Sequence, residues 1–368
     1  MKPIVIIGEA KTAEDHRINS SFVSAGGVEL LRLLNESGII TLTPNDKSFI
    51  SDYYRRGDPR SIDSVWKAHP SIFRTNVFQI HPPANKLEWF CGPRADGIPG
   101  YPALIASKYV RKEFESELDR LGDEIIARDP NLIIGLGNTA LWALCARTGV
   151  GKLRGTTQLT THCVSGYKLL PTYHPASLFR QWENRPTTIM DLMKAKREAD
   201  FPDIRRPKCE IWIEPTLDDI ERFFNDYVRS GCDLLSVDIE TAGSRITCIG
   251  FAPSGERAIV IPFDDARAKG GSYWPDRASE ARAWELIRSV LIDGSIPKLF
   301  QNGMYDIAFL WRSVGIGVRG CAHDTMLLSH ALQPESLKGL GYLGSIYTDF
   351  GAWKVDHKNR HETIKRDA

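Results

Sequence analysis

Leu234-Leu235-Ser236-Val237-Asp238-Ile239-Glu240-Thr241 is an apolar run in which two acids stand two residues apart. Successive side chains of a strand point to opposite faces, so Asp238 and Glu240 share one face while Val237 and Ile239 take the other. Two carboxylates side by side on an apolar strand are costly unless something neutralises them, and a divalent cation is the usual answer. A strand with one solvated face is the plainer alternative, and this stretch alone leaves both open.

Working outward, TCIGFA (247–252) and AIVIPF (258–263) continue the β pattern at hairpin spacing, which predicts a mixed sheet with an antiparallel meander. Upstream, TLDDIERFFNDYV (216–228) reads as a helix with Thr216 as its N-cap and acids in its first turn. Before it, DFPDIRRPKC (200–209) is polar and holds two prolines, marking a boundary. The expected division is residues 1–200, a linker 201–209, and residues 210–368. In the first part, short β-branched runs alternate with amphipathic segments: Ile4 to Ile7 then a helix near Gly27 to Asn35, and Asn131 to Leu136 then a helix near Ala140 to Cys145. That alternation predicts an α/β fold with a largely parallel sheet, whose functional groups gather at the carboxyl ends of the strands.

Composition narrows the class of protein. The 368 residues suit roughly two to three domains. With 47 basic and 46 acidic residues the net charge is +1, so nucleic-acid contacts must come from local clusters rather than a uniformly basic surface. No apolar run reaches the roughly 18 residues that span a bilayer, and the start MKPIVIIGEA reads as a buried strand, so a cytoplasmic protein without membrane contact is expected. The seven cysteines are scattered with no CxxC pair, so reduced structural thiols are expected, and neither a zinc knuckle nor an iron–sulfur cluster.

Two further segments follow the acidic strand. FQNGMYDIAFLW (300–311) reads as a helix that brings Asn302, Tyr305 and Asp306 within one turn, and HDTMLLSHALQP (323–334) begins an apolar helix at Asp324. Each acid alone could be a cap or an ion-pair partner. In order and spacing, DIET, QNGMYD and HDTMLLSHAL resemble the DEDD-superfamily 3′→5′ exonucleases of the kind attached to family A DNA polymerases, from about Pro207 to the end. The resemblance implies a ribonuclease-H-like mixed sheet and two Mg²⁺ or Mn²⁺ ions about 4 Å apart. In the family one ion generates the hydroxide nucleophile and the other stabilises the departing 3′ oxygen. It implies Asp238, Glu240 and Asp306 as ligands, Asn302 and Tyr305 as substrate-binding members of the motif, and Asp324 as a supporting acid. The family's fourth acid follows a tyrosine or histidine by a few residues. Here the chain ends HETIKRDA (361–368), with Thr363 four positions before Asp367, so either this motif is degenerate or the reading frame ends before it.

The N-terminal part has its own set. IIGEAKTAEDHRINSSFVSAGGVELLRLL (6–34) runs from a strand through a turn into a glycine-started helix, with neither GxxxxGK[ST] nor GxGxxG. TNVFQIHPP (75–83), PNLIIGLGNTALWAL (130–144), KLRG (152–155) and LLPTYHPASLFR (169–180) each place polar residues at a predicted strand end. Over about 1–195 the ordered set resembles the uracil-DNA glycosylase superfamily, in the branch whose first motif reads GEAPG. The resemblance implies a parallel-sheet sandwich and removal of uracil from DNA. Glu9 would position or activate water, Asn76 would read the uracil amide edge, and His174 would donate to the carbonyl that becomes anionic. Phe22, thirteen residues after Glu9, would stack on the base. Leu178, Phe179 and Arg180 stand where the family inserts a wedge into the gap left by the flipped base, although Leu178 and Phe179 could equally be core residues. The family's Pro-Gly is Lys11-Thr12 here, which alters the turn nearest the sugar and introduces a cation.

Joined, the two parts point to a bifunctional DNA-processing enzyme of replication or repair, plausible for a bacteriophage and its host's cytoplasm. DNA is the expected partner, with a DNA polymerase encoded separately or downstream. The alternative is a first domain that binds DNA or docks a polymerase without catalysis, tethered to the nuclease. A third reading makes both domains scaffolds, the nuclease lacking its last ligand.

Overall fold

The structure is a computed structural model describing residues 2–352. It forms two compact units, one made of residues up to Arg206 together with those from Gly341, the other of Pro207–Leu340.

The first unit is built on a five-stranded sheet of β1 (Ile4–Ala10), β2 (Ile72–Phe78), β3 (Ile133–Leu136), β4 (Gln158–Leu159) and β5 (Lys168–Thr172), in the order β2-β1-β3-β5-β4. All pairs are parallel except β4 with β5 at the edge. The continuous apolar run of β1 follows from burial on both faces. Ile6 packs in one core with Leu30, Leu31 and Leu34 of a helix over Ala25–Glu36, and Val5 and Ile7 pack in a second core with Leu141 and Trp142. Ahead of that helix (α2), the short α1 (Ala13–Ile18) starts at a capping box in which Thr12 and Asp15 satisfy each other's backbone N–H groups. Helix α3 (Gly137–Cys145) follows β3 directly, and α4 (Arg185–Glu198) packs against β5.

The second unit carries a six-stranded sheet of β6 (Glu210–Ile213), β7 (Leu235–Ala242), β8 (Arg245–Ser254), β9 (Arg257–Pro262), β10 (Lys298–Phe300) and β11 (Cys321–Asp324), ordered β11-β10-β7-β8-β9-β6. Strands β7, β8 and β9 form the expected antiparallel meander, and β10, β11 and β6 add parallel pairs, giving the mixed sheet. Along β7, Leu235, Val237 and Ile239 are buried while Asp238 and Glu240 are exposed, as the period of two requires. Thr216 caps its helix through a capping box with Asp219. Helices α5 (Gly303–Val314) and α6 (Thr325–Leu332) follow β10 and β11.

The last described stretch departs from the expected 210–368 domain. Helix α7 (Leu340–Tyr347) and the described residues after it, to Ala352, belong, from Gly341, to the first unit. Polar contacts explain this. Arg154 and Asp191 form a fully buried pair in which Arg154 Nε donates to Asp191 Oδ2 at 2.7 Å and a second N–H donates to Oδ1. Thr172 Oγ1 also donates to Asp191 Oδ2 at 2.7 Å. The remaining arm of Arg154 donates to Ser345 Oγ at 3.0 Å, its guanidinium lies 5.3 Å from the Tyr342 ring, and the Tyr342 hydroxyl meets Thr187 Oγ1 at 2.6 Å. Gly155, at φ +69°, follows Arg154 where a Cβ would collide with the Asp191 carboxylate, so the KLRG turn needs its glycine twice over. Removing one partner of such a pair strands a buried charge. Arg154→Met is expected to destabilise the first unit by about 3–5 kcal/mol in urea unfolding; a loss below about 1 kcal/mol, the range of an exposed pair, would contradict this account.

Candidate functional site

In the first unit the residues singled out from sequence gather at the carboxyl ends of the parallel strands. Gly8 is the point of convergence, since a Cβ there would collide with both Asn76 Oδ1 and the Phe22 ring. Asn76 is buried near the end of β2, and its Nδ2 donates to Ser21 Oγ at 3.2 Å. Its strand end is fixed by Arg120, which donates to the carbonyls of Asn76 and Val77 at 2.9 and 2.8 Å. Phe22 adopts φ +58°, an uncommon conformation for an aromatic residue. It is held there by Trp66 Nε1, which donates to its carbonyl at 2.8 Å, and by Arg74 Nε, which donates to Ser21 O at 2.7 Å. The ring stacks against His174 with centroids 6.2 Å apart and planes at 28°.

His174 follows β5 and caps the four-residue helix Pro175–Leu178, its Nδ1 accepting from the N–H of Ala176 at 3.2 Å. Enclosure lowers its pKa, outweighing Glu9 and Asp15, which act to raise it. A neutral ring with Nδ1 as acceptor carries its proton on Nε2. Glu9 accepts a hydrogen bond from Thr139 Oγ1 at 2.8 Å, so the first helical turn after β3 orients it. Glu9, Lys11, Asn138, His174 and Arg180 are among the residues lining a cleft of about 710 Å³. Leu178 is a correction: it is 0% exposed and lies in the core with Leu30 and Leu170, so it cannot reach DNA. The adjacent Phe179 is 54% exposed. Thr139, Ser21, Arg74 and Arg120 were not anticipated as orienting residues. Thr139 alone had a signal, its place in the GNTAL turn.

In the second unit, Asp306 sits in the first turn of α5, only 4% exposed, and its Oδ1 accepts from the N–H of Ile239 at 3.1 Å. Burial, with Asp238 and Asp324 nearby, pushes its carboxyl up to about 6. Tyr305 reaches Thr241 on β7, the two hydroxyls 2.7 Å apart. Asn302 stands at φ +62° as the N-cap of α5. Asp324 secures that corner, accepting from the N–H groups of Asn302, Gly303, Met326 and Leu327 at 3.2, 2.7, 2.8 and 3.3 Å. Burial opposes its ionisation, but these backbone donors prevail and its pKa is lowered.

The three expected ligands are neighbours rather than a closed cage. Among the described residues no three His, Cys, Asp or Glu side chains converge as a metal-binding cluster. Strand β10 pairs with β7 only at Leu235 and Ser236, and beyond that pairing the N–H of Ile239 donates to Asp306, whose carboxyl also feels the charge of Asp238. The donor chemistry still suits a hard divalent cation, since all three groups are carboxylates and one is held above its ordinary pKa by burial and like charge. Thr363 and Asp367 lie outside the described residues. No helix among the described residues is long and apolar enough to cross a membrane.

Residues 1–200 match the uracil DNA glycosylase superfamily, and residues 215–362 match a 3′-5′ exonuclease family. The chain is 25% identical over 197 residues to a type-4 uracil-DNA glycosylase of Thermotoga maritima, covering 52% of this chain and 76% of that one. It is 24% identical over 243 residues to a DNA polymerase of Bacillus phage SP01, covering 59% of this chain and about a quarter, 25%, of the polymerase's length. Among solved structures, Brucella melitensis NrnC with bound Mg²⁺ is similar at 21% identity and a TM-score of 0.27, covering 45% of this chain and 75% of that one. The EXD2 exonuclease domain soaked in Mg and GMP is similar at 18% identity and a TM-score of 0.26, covering 43% and 82%. The chain belongs to the uracil DNA glycosylase superfamily through residues 1–200, and its residues 215–362 match a 3′-5′ exonuclease family.

Proposed function

We propose that this DNA-processing chain joins two hydrolytic activities, base excision in the first unit and 3′→5′ degradation of DNA in the second. The observation that carries the first is the convergence of Asn76 and Phe22 on Gly8, with His174 against the ring. The amide of Asn76 presents an acceptor beside a donor, the complement of the N3–H and carbonyl edge of uracil. Phe22 supplies an apolar face for the flipped base. His174, neutral and with its proton on Nε2, donates to the base oxygen that gains charge as the glycosidic bond breaks. Glu9, oriented by Thr139, holds the attacking water near the sugar. Phe179 takes the wedge position that buried Leu178 cannot fill, and Arg180, on the cleft rim, meets a phosphate.

For the second unit, Asp238, Glu240 and Asp306 would hold Mg²⁺ or Mn²⁺, which when bound supplies charge neutralisation and water activation for phosphodiester hydrolysis. Asp324 fixes the start of α5 and so the positions of Asp306 and Tyr305, and Tyr305, bonded to Thr241, borders the acidic strand. Asn302 and Tyr305 would contact the substrate strand. Kinship with a phage DNA polymerase makes a polymerase partner part of the same proposal.

An oligonucleotide containing one uracil, incubated with the chain and then treated with alkali, is expected to break at the uracil. His174→Ala should slow this by about 10²–10³, the range for losing one donor to a developing anion. Intact DNA binding without cleavage would leave the first unit a binding module. Phe179→Ala should weaken binding to duplex with little change in stability, whereas Leu178→Ala should cost about 2–5 kcal/mol of stability through a core cavity.

Because the pKa of His174 is lowered in the fold, the unfolded chain binds its proton first as pH falls below about 6.5. Stability should therefore drop on acidification through that window, and His174→Gln should flatten this part of the profile in urea titrations. An unchanged slope would show that the ring is not held neutral.

A 5′-labelled single strand with Mn²⁺ should be shortened from its 3′ end by the wild type and left whole by Asp238→Ala. Equal digestion by both would refute the ligand assignment. In EDTA, Asp306→Asn should raise the melting midpoint, since it removes a disfavoured buried charge, and it should abolish the upward shift that Mn²⁺ gives the wild type.

A further inference from the structure

The cleft of the first unit holds one nucleophile that the excision chemistry leaves unused. Lys11 stands two residues after Glu9, where β1 has ended, and both line the cleft together with His174 and Arg180. The residue is only 7% exposed. Its ammonium donates to Asn19 Oδ1 at 2.5 Å, a neutral amide oxygen supplied by the left-handed cap of α1. Its backbone is fixed as well, with its N–H donating to Phe78 O at 3.2 Å, so the stem rises from the junction of β1 and β2. Burial lowers its pKa and Arg120 adds to the lowering, while Asp15, Glu117 and Glu124 oppose it. Lysines desolvated in this way form imines with carbonyl substrates.

We propose that Lys11 is the nucleophile of a second activity, cleavage of DNA at abasic sites through an imine. The ring-opened sugar left after base loss carries an aldehyde at C1′. The Lys11 amine adds to C1′ and water leaves, giving a protonated imine. A base, for which the Glu9 carboxylate stands in the same cleft, removes a proton from C2′, and the electron pair expels the 3′ phosphate by breaking the C3′–O bond. Water then hydrolyses the imine, returning the Lys11 amine and releasing an unsaturated aldehyde on the upstream strand. No oxidant or reductant is consumed. The substrate is the product of base excision, so the inference rests on reading this cleft as one that receives an extruded nucleotide.

The test supplies the abasic site ready-made, so that uracil excision is not required. The full chain in EDTA, which silences metal-dependent nuclease, is incubated with a 5′-labelled duplex bearing one aldehydic abasic site, with and without sodium borohydride. Borohydride should trap a covalent protein–DNA complex, and peptide mapping of the wild-type adduct should place the DNA on Lys11. Without borohydride the strand should be nicked on the 3′ side of the site. Lys11→Arg, which keeps the cation, and Lys11→Ala should both abolish trapping, and a duplex with a tetrahydrofuran analogue lacking the aldehyde should not be trapped. No adduct, an adduct mapped to another lysine, or trapping unchanged in both variants would overturn the proposal. Uracil excision is assayed in parallel. Excision without an adduct would refute this inference alone, and an adduct at Lys11 without excision would refute the glycosylase reading alone.

Discussion

In both units the central strand outruns its parallel neighbour, and the sites follow from how the exposed end is satisfied. Strand β1 pairs with β3 only through Val5, Ile6 and Ile7, so Glu9 stands beyond that ladder while β1 is still paired with β2 on its other side. Strand β7 pairs with β10 only through Leu235 and Ser236, which leaves the N–H of Ile239 on an open edge. Backbone and side-chain groups near a buried sheet must find partners, and at both ends one is supplied by the helix that continues the shorter strand. Thr139, from the helix after β3, bonds to Glu9, and Asp306, from the helix after β10, takes the N–H of Ile239. The same device that satisfies the fold thus brings a polar side chain to the place where parallel α/β sheets bind ligands.

Holding such groups in place requires local conformations that a chain does not adopt freely. Phe22 at φ +58° carries a cost of about 1–3 kcal/mol. The hydrogen bonds from Trp66 and Arg74, the latter braced by Asp63 at 2.8 Å, offset it and leave the ring one position, beside Gly8. Asp324 does equivalent work in the second unit, where a single carboxylate closes two helix starts by accepting four backbone N–H groups. An acid so occupied is an anchor, which separates its role from that of the exposed pair on β7.

Much of this was legible because it depends on short-range periodicity. The alternation in β7 assigned faces to Asp238 and Glu240, and the Thr216 capping box marked a helix start, since both are settled within a few residues. What stayed hidden depends on long-range partners. Leu178 ends a four-residue helix and Phe179 is its C-cap, an element too short for a periodic pattern to say which faces the core, and packing against Leu30 and Leu170 decides it. The attachment of the helix from Gly341 to the first unit was hidden because it also depends on Arg154, Asp191 and Ser345, three polar residues widely separated in sequence. Likewise, that Asp306 meets β7 at its edge follows from the three-residue length of β10, which no motif encodes.

The two sites differ in the sign of the charge they are built to meet. Around Gly8 the converging groups are a neutral amide and an imidazole whose enclosure lowers its pKa, while the charged groups Glu9, Lys11 and Arg180 stand elsewhere along the lining of the same cleft. Beside β7 the opposite arrangement holds: burial, with Asp238 and Asp324 adding to it, pushes the Asp306 carboxyl of α5 up to about 6. Carboxylates in that number repel a polyanionic strand unless a cation intervenes.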